Sequence, residues 1–513
     1  MPLNRHMKKA LLTIILSAAS LLHVSAASSP PNIVFLMTDD QRWDNFGCYG
    51  RPEFRTANID RLAEQGVVFD RAYHAVGICM PSRATVFTGR YLSSHRVGFT
   101  HPYNMTLSKS DYDQSYPAQL KKAGYRTGFV GKFGFAVTDE AYPTNGTVRG
   151  YNMQKNLDPY FDYFAGTGVH VKGPPGRWPH DQRLKEIFDK QRPAEERTLK
   201  TGDAMLHFLD THPDDQPFCL SVSFYAVKNY RDHDMYPPHV KAFEHVKFPL
   251  PQNWVEGKNT KLPKVLDGWR GVKQHLSSTS TRKLAEPYTR RFAVQGYSVD
   301  LQVGRLVKKL EEMGVLDNTV IIYTSDNGRF QGSHGLTGKA VLYEEAMRAP
   351  LVVFDGRLAK EKRGRRESAL VSTADYAPTL LALAGVDVPS KMQGKSLINV
   401  LEQKQDSSKW RDAVLMENLF IHELHIAGVK KHPDIPGFND EMVATNQSYR
   451  SRGVRTERYK YFGYFEHKPV IEELYDLNSD PYEQRNLAAN PEYATVLADL
   501  RRRTKDLHKE IAQ

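Results

Sequence analysis

Cys79-Met80-Pro81-Ser82-Arg83-Ala84-Thr85-Val86-Phe87-Thr88-Gly89 is the stretch around which this chain is organised. A cysteine stands beside a proline, a serine and an arginine where a helix begins. Pro81 suits a first helical turn, because its missing N–H would be unpaired there in any case. Cys79 then lies at a helix N-terminus, where the macrodipole favours anions and lowers a thiol pKa. Arg83, one turn on, is placed to grip an oxyanion through two N–H groups at once. The plainer reading of a single such cysteine is packing beside a helix cap, because a free thiol commonly behaves as a small hydrophobe. The rest of the chain decides between the two.

The 513 residues are enough for one large domain and a smaller one. Apolar residues at 40% and charged residues at 25% describe an ordinary globular protein. Lys and Arg number 70 against 59 Asp and Glu, a formal net charge of +11. The basic residues form no dense stripe with interleaved aromatics. Runs such as Lys360–Arg366 and Arg501–Arg503 read as solvated faces, so no nucleic-acid partner is expected, and a polyanionic substrate fits the excess. Residues 1–26 read as a secretory signal: Arg5, Lys8 and Lys9 are a basic start, Ala10–Leu22 an apolar run too short for a bilayer, and Val24-Ser25-Ala26 a small-residue cleavage site. An exported protein, periplasmic or secreted, without a membrane span after signal removal is the expectation. Of the three cysteines, Cys48 and Cys219 remain beside Cys79, paired or unpaired.

Asn32–Met37 is a continuous apolar run rich in branched residues and predicts a buried parallel strand. It ends in Thr38-Asp39-Asp40. The carboxyl end of a buried strand is where α/β proteins place ligands, although capping aspartates in a turn look the same. Ala57–Val68 and Tyr116–Ala123 have helical spacing, and Tyr125–Lys132 is a strand ending in a lysine. Residues 145–200 read as a long loop-like insertion with clustered aromatics such as Tyr160, Phe161 and Phe164, more simply buried support than sugar-binding walls. Pro217–Ala226 and Asn318–Thr324 are strands, and Arg290–Gly314 is a long amphipathic helix. The polar linker Gln403–Lys409 separates a main domain, residues 27–405, from a smaller one, residues 406–513, with strands at Ala413–Met416, within Tyr449–Glu466 and at Leu474–Leu477, and a last helix from Glu492 to Ile511.

The run at Cys79 resembles the signature of type I sulfatases of the alkaline phosphatase superfamily, Cys-x-Pro-Ser-Arg followed by x-x-x-Leu-Thr-Gly, with Phe87 at the Leu position. Four further segments occur in that family's order: Asp39-Asp40, Gly131-Lys132, Ser325-Asp326-Asn327-Gly328 and Gly332-Ser333-His334-Gly335-Leu336-Thr337-Gly338-Lys339. The resemblance implies an α/β fold, a large mixed, mostly parallel sheet between helices, with a smaller C-terminal α+β domain carrying an antiparallel sheet and a terminal helix. It implies that Cys79 is oxidised to Cα-formylglycine by a maturation enzyme, and that its hydrated aldehyde attacks sulfur. It implies one Ca²⁺ held by Asp39, Asp40, Cys79, Asp326 and Asn327, and sulfate held by Arg83, Lys132 and Lys339. Two departures stand out. Gly134 occupies the place of the histidine that contacts the nucleophile, and Lys228 that of the histidine that protonates the leaving group. His334 is the candidate replacement for the first; Lys228 itself, as acid or charge clamp, and His233 compete for the second.

These parts make one chemistry. A sulfate ester is an anion that repels nucleophiles, so its hydrolysis needs a strong oxygen nucleophile, positive charge on the sulfate oxygens and a proton for the leaving alcohol. Hard oxygen ligands suit Ca²⁺ and not zinc or copper. Export, positive charge and the aromatic-rich insertion point to a sulfated polysaccharide or oligosaccharide. The alternatives are an arylsulfatase, a phosphoester or phosphonate hydrolase on the same scaffold, or an inactive binder of sulfated glycans.

Overall fold

The strand that ends in the two aspartates lies inside an eight-stranded sheet. In the computed structural model the described residues are 29–99, 106–139, 153–167, 196–213, 215–228, 235–419, 430–431, 436–445 and 447–512; the signal segment and His233 lie outside them. Strand β1 (Asn32–Thr38) is buried along its whole length because helices cover both faces of the sheet. The other strands of this sheet are β2 (Val67–Phe69), β3 (Arg126–Lys132), β4 (Tyr163–Thr167), β5 (Phe218–Ser223), β6 (Thr319–Ser325), β7 (Leu351–Asp355) and β8 (Arg365–Glu367). Their spatial order is β8-β2-β7-β6-β1-β5-β3-β4. Strand β7 runs against both its neighbours, and the remaining pairings are parallel. This is the mixed, mostly parallel sheet expected. It brings the carboxyl ends of β6, β1, β5 and β3 together on one edge.

Residues of β1 alternate between two cores, as strand geometry requires. Ile33, Phe35 and Met37 meet Met80, Ala84 and Phe87 of α2 (Cys79–Thr88), Leu120 of α3 (Tyr116–Lys122) and Leu380 of α6 (Tyr376–Leu383). On the other face, Val34 and Leu36 meet Ile59 and Leu62 of α1 (Ala57–Glu64), Phe208 of α4 (Glu196–Asp210) and Val299, Val303 and Leu306 of α5 (Arg282–Glu312). Phe87 is accommodated because it joins an aromatic nest: its ring stacks on Tyr116 with centroids 5.4 Å apart and meets Phe133 at 5.2 Å.

Three expectations change in detail. The helix from Ala57 stops at Glu64, not Val68, because the chain turns through Gly66 into β2; a Cβ at Gly66 would come 2.4 Å from the Val353 carbonyl oxygen. The long helix begins at Arg282, ahead of Arg290, and carries Pro287 in its second turn, where one backbone bond is forgone. The insertion contains a strand: β4 pairs with β3, and Phe161 and Phe164 pack on Phe129, so these aromatics are core. Cys219 faces the first core and Cys48 packs against the second, so the sheet separates the two thiols and they are unbridged.

The C-terminal part forms the expected antiparallel sheet, β9 (Ala413–Asn418), β10 (Ser451–Thr456), β11 (Tyr459–Tyr464) and β12 (Ile471–Asp476), with the terminal helix α7 (Ala494–Ile511) on its outer face. Its inner face shares a core with the main domain, where Phe462 and Tyr475 pack with Tyr343 and Phe330. At this junction the carboxylate of Glu473 accepts hydrogen bonds from the hydroxyls of Tyr343, Tyr464 and Tyr475 at 2.7, 2.9 and 2.5 Å.

His95 ties α2 down from its far side. Its Nδ1 accepts from the Val97 backbone N–H at 3.0 Å, which leaves Nε2 to donate to Thr85 Oγ1 at 3.0 Å. Burial, with Arg90 second, pushes its pKa down to about 3. The unfolded chain, with a histidine pKa of about 6.5, takes up this proton first as pH falls, so stability is lost from roughly pH 6.5 downward. The urea midpoint is therefore expected to fall between pH 7 and pH 4, and His95→Gln to show a shallower fall over that window. An unchanged slope in the variant would count against this assignment.

Candidate active site

Backbone bonds past the strand ends bring the polar residues onto one spot. Asp39 N–H donates to the Ala226 carbonyl at 2.8 Å, Val227 N–H to the Asp39 carbonyl at 2.6 Å, and Asp326 N–H to the Thr38 carbonyl at 2.9 Å. Asp40 adopts φ 66°, a left-handed conformation that a non-glycine residue holds only where surroundings impose it. Asp40 N–H in turn donates to Asp326 Oδ1 at 3.2 Å.

Onto this edge α2 delivers Cys79 at its first position and Arg83 one turn later. The Arg83 side chain is wholly buried. Its guanidinium donates to Asp326 Oδ2 through Nε at 2.8 Å, with Nη2 in ion-pair contact with the same oxygen at 2.8 Å, and bonds Ser223 Oγ and the Lys132 carbonyl through Nη1. Lys132 Nζ meets Asp39 Oδ2, which Lys228 Nζ also approaches at 3.2 Å. Lys339 Nζ lies 3.4 Å from Cys79 Sγ and 3.0 Å from Asn327 Oδ1 and bonds Asp40. The structure thus brings together Asp39, Asp40, Cys79, Arg83, Lys132, Lys228, Asp326, Asn327 and Lys339.

The charges set one another. Burial alone would raise the Asp39 carboxyl, but Lys132, Lys228, Lys339 and Arg83 together hold it well below the usual carboxylate range. Asp326 goes the other way: burial and the neighbouring Asp39 raise it to about 6 against the pull of Arg83. Burial opposes the charge on Lys228 and Lys339, yet the carboxylates raise both above an ordinary lysine. Lys228 is thereby held as an ammonium, which favours its reading as a charge clamp over that of a general acid with a lowered pKa.

The donor set fits a hard cation. One ligand atom each from Asp39, Cys79 and Asp326 lies within 4.8 Å of the others, and all three residues are buried. Asp39 Oδ1 has no hydrogen-bond partner although it is shut away from water, a cost that a bound cation would remove.

His334 does not join this group through its ring contacts. Its Nε2 lies 3.0 Å from Asn253 Nδ2 and 3.3 Å from Glu345 Oε2, and the ring stacks on Tyr343 at 4.4 Å. Burial opposes its charge, but Glu345 raises its pKa from the ordinary value, and the ring is spent on contacts at the junction with the C-terminal sheet. Gly134 has a steric reason: its φ is +104°, and a Cβ there would come 2.5 Å from Arg83 Cδ. The arginine occupies the space a side chain at that position would need. Two residues escaped sequence reasoning. Arg329 Nη1 binds Asp40 Oδ2 at 2.6 Å; its signal was adjacency to the Asp326-Asn327-Gly328 turn. His74 is fully buried, neither ring nitrogen has a hydrogen-bond partner, and burial, then Lys339, pushes its pKa down to about 3. Its signal was a lone imidazole in the mostly apolar segment leading into Cys79.

Comparison with known proteins agrees with this geometry. The Sulfatase family profile matches residues 31–386, and that of the N-sulphoglucosamine sulphohydrolase C-terminal region matches residues 439–510. The chain is 28% identical to an N-acetylglucosamine-6-O-sulfatase of Bacteroides thetaiotaomicron, over 97% of this chain and 91% of that protein. It is 29% identical to the human N-acetylglucosamine-6-sulfatase, over 93% of this chain and 85% of that one. Among solved structures, one in complex with its substrate D-glucosamine-2-N,6-O-disulfate superposes with a TM-score of 0.70 at 25% identity, covering 94% of this chain and 98% of the other. With more than half its length matched by the family profile and the cationic, acidic edge in place, the chain belongs to the sulfatase family of the alkaline phosphatase superfamily, and it is a sulfuric ester hydrolase.

Proposed function

We propose that the protein removes sulfate from a sulfated polysaccharide or oligosaccharide, with formylglycine derived from Cys79 as nucleophile and one Ca²⁺ beside it. The observation that carries this reading is the clustering of Cys79 with Asp39 and Asp326, ligand atoms within 4.8 Å of one another, beneath Lys339 at 3.4 Å from the thiol. Asp39, Asp40, Asp326 and Asn327 would hold the cation together with position 79. Bound Ca²⁺ supplies Lewis-acid charge to the sulfate and orients the nucleophile.

This chain's own residues do the rest. Arg83 fixes Asp326 and closes the floor of the site. Lys132, Lys228 and Lys339 present ammonium groups to the sulfate oxygens, where charge develops as the ester bond breaks. The sugar class rests on the relatives, two of which are named as N-acetylglucosamine 6-sulfatases. Export rests on the basic and apolar pattern of residues 1–26 and on relatives named as extracellular sulfatases from Drosophila melanogaster and Caenorhabditis elegans, the latter a putative assignment. No helix among the described residues is long and apolar enough to cross a membrane.

Mass spectrometry of the Cys79 peptide, from a host with the maturation enzyme, is expected to show the aldehyde in place of the thiol. Cys79→Ala is expected to lower kcat at least about 10³-fold; an unmodified thiol in active enzyme would sink the proposal. Excess Ca²⁺ is expected to raise the melting temperature of the purified protein by mass action. Asp326→Ala should abolish that rise, and a rise of equal size in the variant would remove Asp326 from the metal site. Gly134→Ala is expected to push Arg83 off Asp326 and cut kcat about 10²-fold, an effect of misplacement, while KM changes little; kcat equal to wild type would show that Arg83 placement does not matter.

A further inference from the structure

Among the described residues, the outer face of the C-terminal sheet is only partly covered. Leu497 and Leu500 of α7 pack on Leu415, Val454 and Leu474. Beyond that contact, Arg452, Gly463 and Glu472 stand side by side in one cross-strand row. Gly463 leaves the row open, since a Cβ there would come 3.1 Å from Val470 Cγ1. The result is a groove of about 580 Å³, with Phe465 and Val470 on one wall and Arg501 and Lys505 of α7 on the other.

The lining has a definite chemistry. Arg452, Arg501 and Lys505 face one carboxylate in the groove, Glu472, which already accepts from Arg501 Nε at 2.6 Å and from the Tyr461 hydroxyl at 2.7 Å. Arg452 is held from beneath by Glu417 at 2.9 Å and lies over the Phe465 ring at 5.0 Å. Val470 is 44% exposed, an apolar surface set among cations. A trough that offers fixed cations beside an aromatic and an aliphatic face complements a chain that alternates anionic groups with sugar ring faces. One wall of the groove is tied to the segments that carry the site. Phe465 packs against a cluster containing Ile78 and Ala340, the chain neighbours of Cys79 and Lys339.

We propose that this groove is a second binding site for the sulfated oligosaccharide chain, holding units beyond the one that is desulfated. The inference rests on the sulfated-carbohydrate reading of the active site. It makes apparent affinity depend on chain length: a monosaccharide sulfate reaches Cys79 without touching the groove, and a longer chain occupies both.

The test uses the full-length enzyme, the double variant Lys505→Glu/Arg501→Gln and, separately, Gly463→Val, which fills the trough. With a heparin-derived octasaccharide, KM is expected to rise about fivefold in each variant, the scale of losing a few screened charge contacts. With N-acetylglucosamine-6-sulfate, KM is expected to stay at the wild-type value, and kcat to hold for both substrates, a split that general damage to the fold would not give. Equal KM for the octasaccharide across all proteins overturns the proposal, as does a parallel rise for the monosaccharide. Should neither sugar be turned over, the substrate reading fails, and the groove is tested separately by titrating the Cys79→Ala protein with a dextran sulfate oligosaccharide. Binding weakened about fivefold by the groove variants supports the site. Undiminished binding, or a groove found covered by a second copy of the chain in solution, overturns it.

Discussion

The structure depends on keeping three carboxylates, Asp39, Asp40 and Asp326, buried side by side. Like charges this close, away from water, cannot stand alone; each needs an opposite charge within a few ångströms. Every cation of the site answers that need. Arg83 holds Asp326, Lys132 and Lys228 meet Asp39, and Lys339 and Arg329 divide Asp40. In the proposed function three of these cations, Lys132, Lys228 and Lys339, also attract the sulfate ester, so the groups that make the fold tolerable at this edge double as the substrate's charge clamp. Arg83 shows the coupling most clearly. Its buried fork spans α2, β3, β5 and the end of β6, which is why no side chain fits at position 134.

The second constraint is the placement of Lys339. It sits on an irregular segment between β6 and β7, and such a segment has no ladder of its own to hold it. The main domain and the C-terminal sheet share the anchorage. On one side of the lysine, His334 is pinned to Asn253 and Glu345; on the other, Tyr343 donates to Glu473, and the Glu344 backbone N–H donates to Glu483 at 2.7 Å. Lys460 balances Glu344 and Glu483 from the same sheet at 3.1 and 2.9 Å. The smaller sheet is therefore part of the active-site scaffold, and a histidine that resembles a catalytic base by position is committed to Asn253, Glu345 and Tyr343 instead.

Much of this was legible in the sequence, for stated reasons. A continuous branched run such as Asn32–Met37 reads as a buried parallel strand because two covered faces leave no place for alternation. The acidic pair after β1, Asp326-Asn327 after β6, and a lysine ending β3 marked the ligand edge because parallel strands end on one side. Other features were illegible. The strand Tyr163–Thr167 is short and embedded in an aromatic-rich stretch, so its pairing with β3 carries the assignment, and local pattern does not. The partner of a buried histidine is also a tertiary fact: His334, His74 and His95 are the same residue type in three different states, one raised by a glutamate and two lowered by burial.

The sequence by itself determined most of the main-sheet strands in order along the chain and the identities of the acidic and basic residues at the sheet edge, because these follow from hydrophobic period and from motifs that are local in the chain, and the resemblance those motifs carry implied the fold class. Only the tertiary structure decided which charges pair, why Gly134 excludes a side chain, where His334 spends its ring, and that the C-terminal sheet helps to hold the Lys339 segment. Those are contacts between residues tens to hundreds of positions apart, and their energies come from burial and distance, which no local pattern encodes.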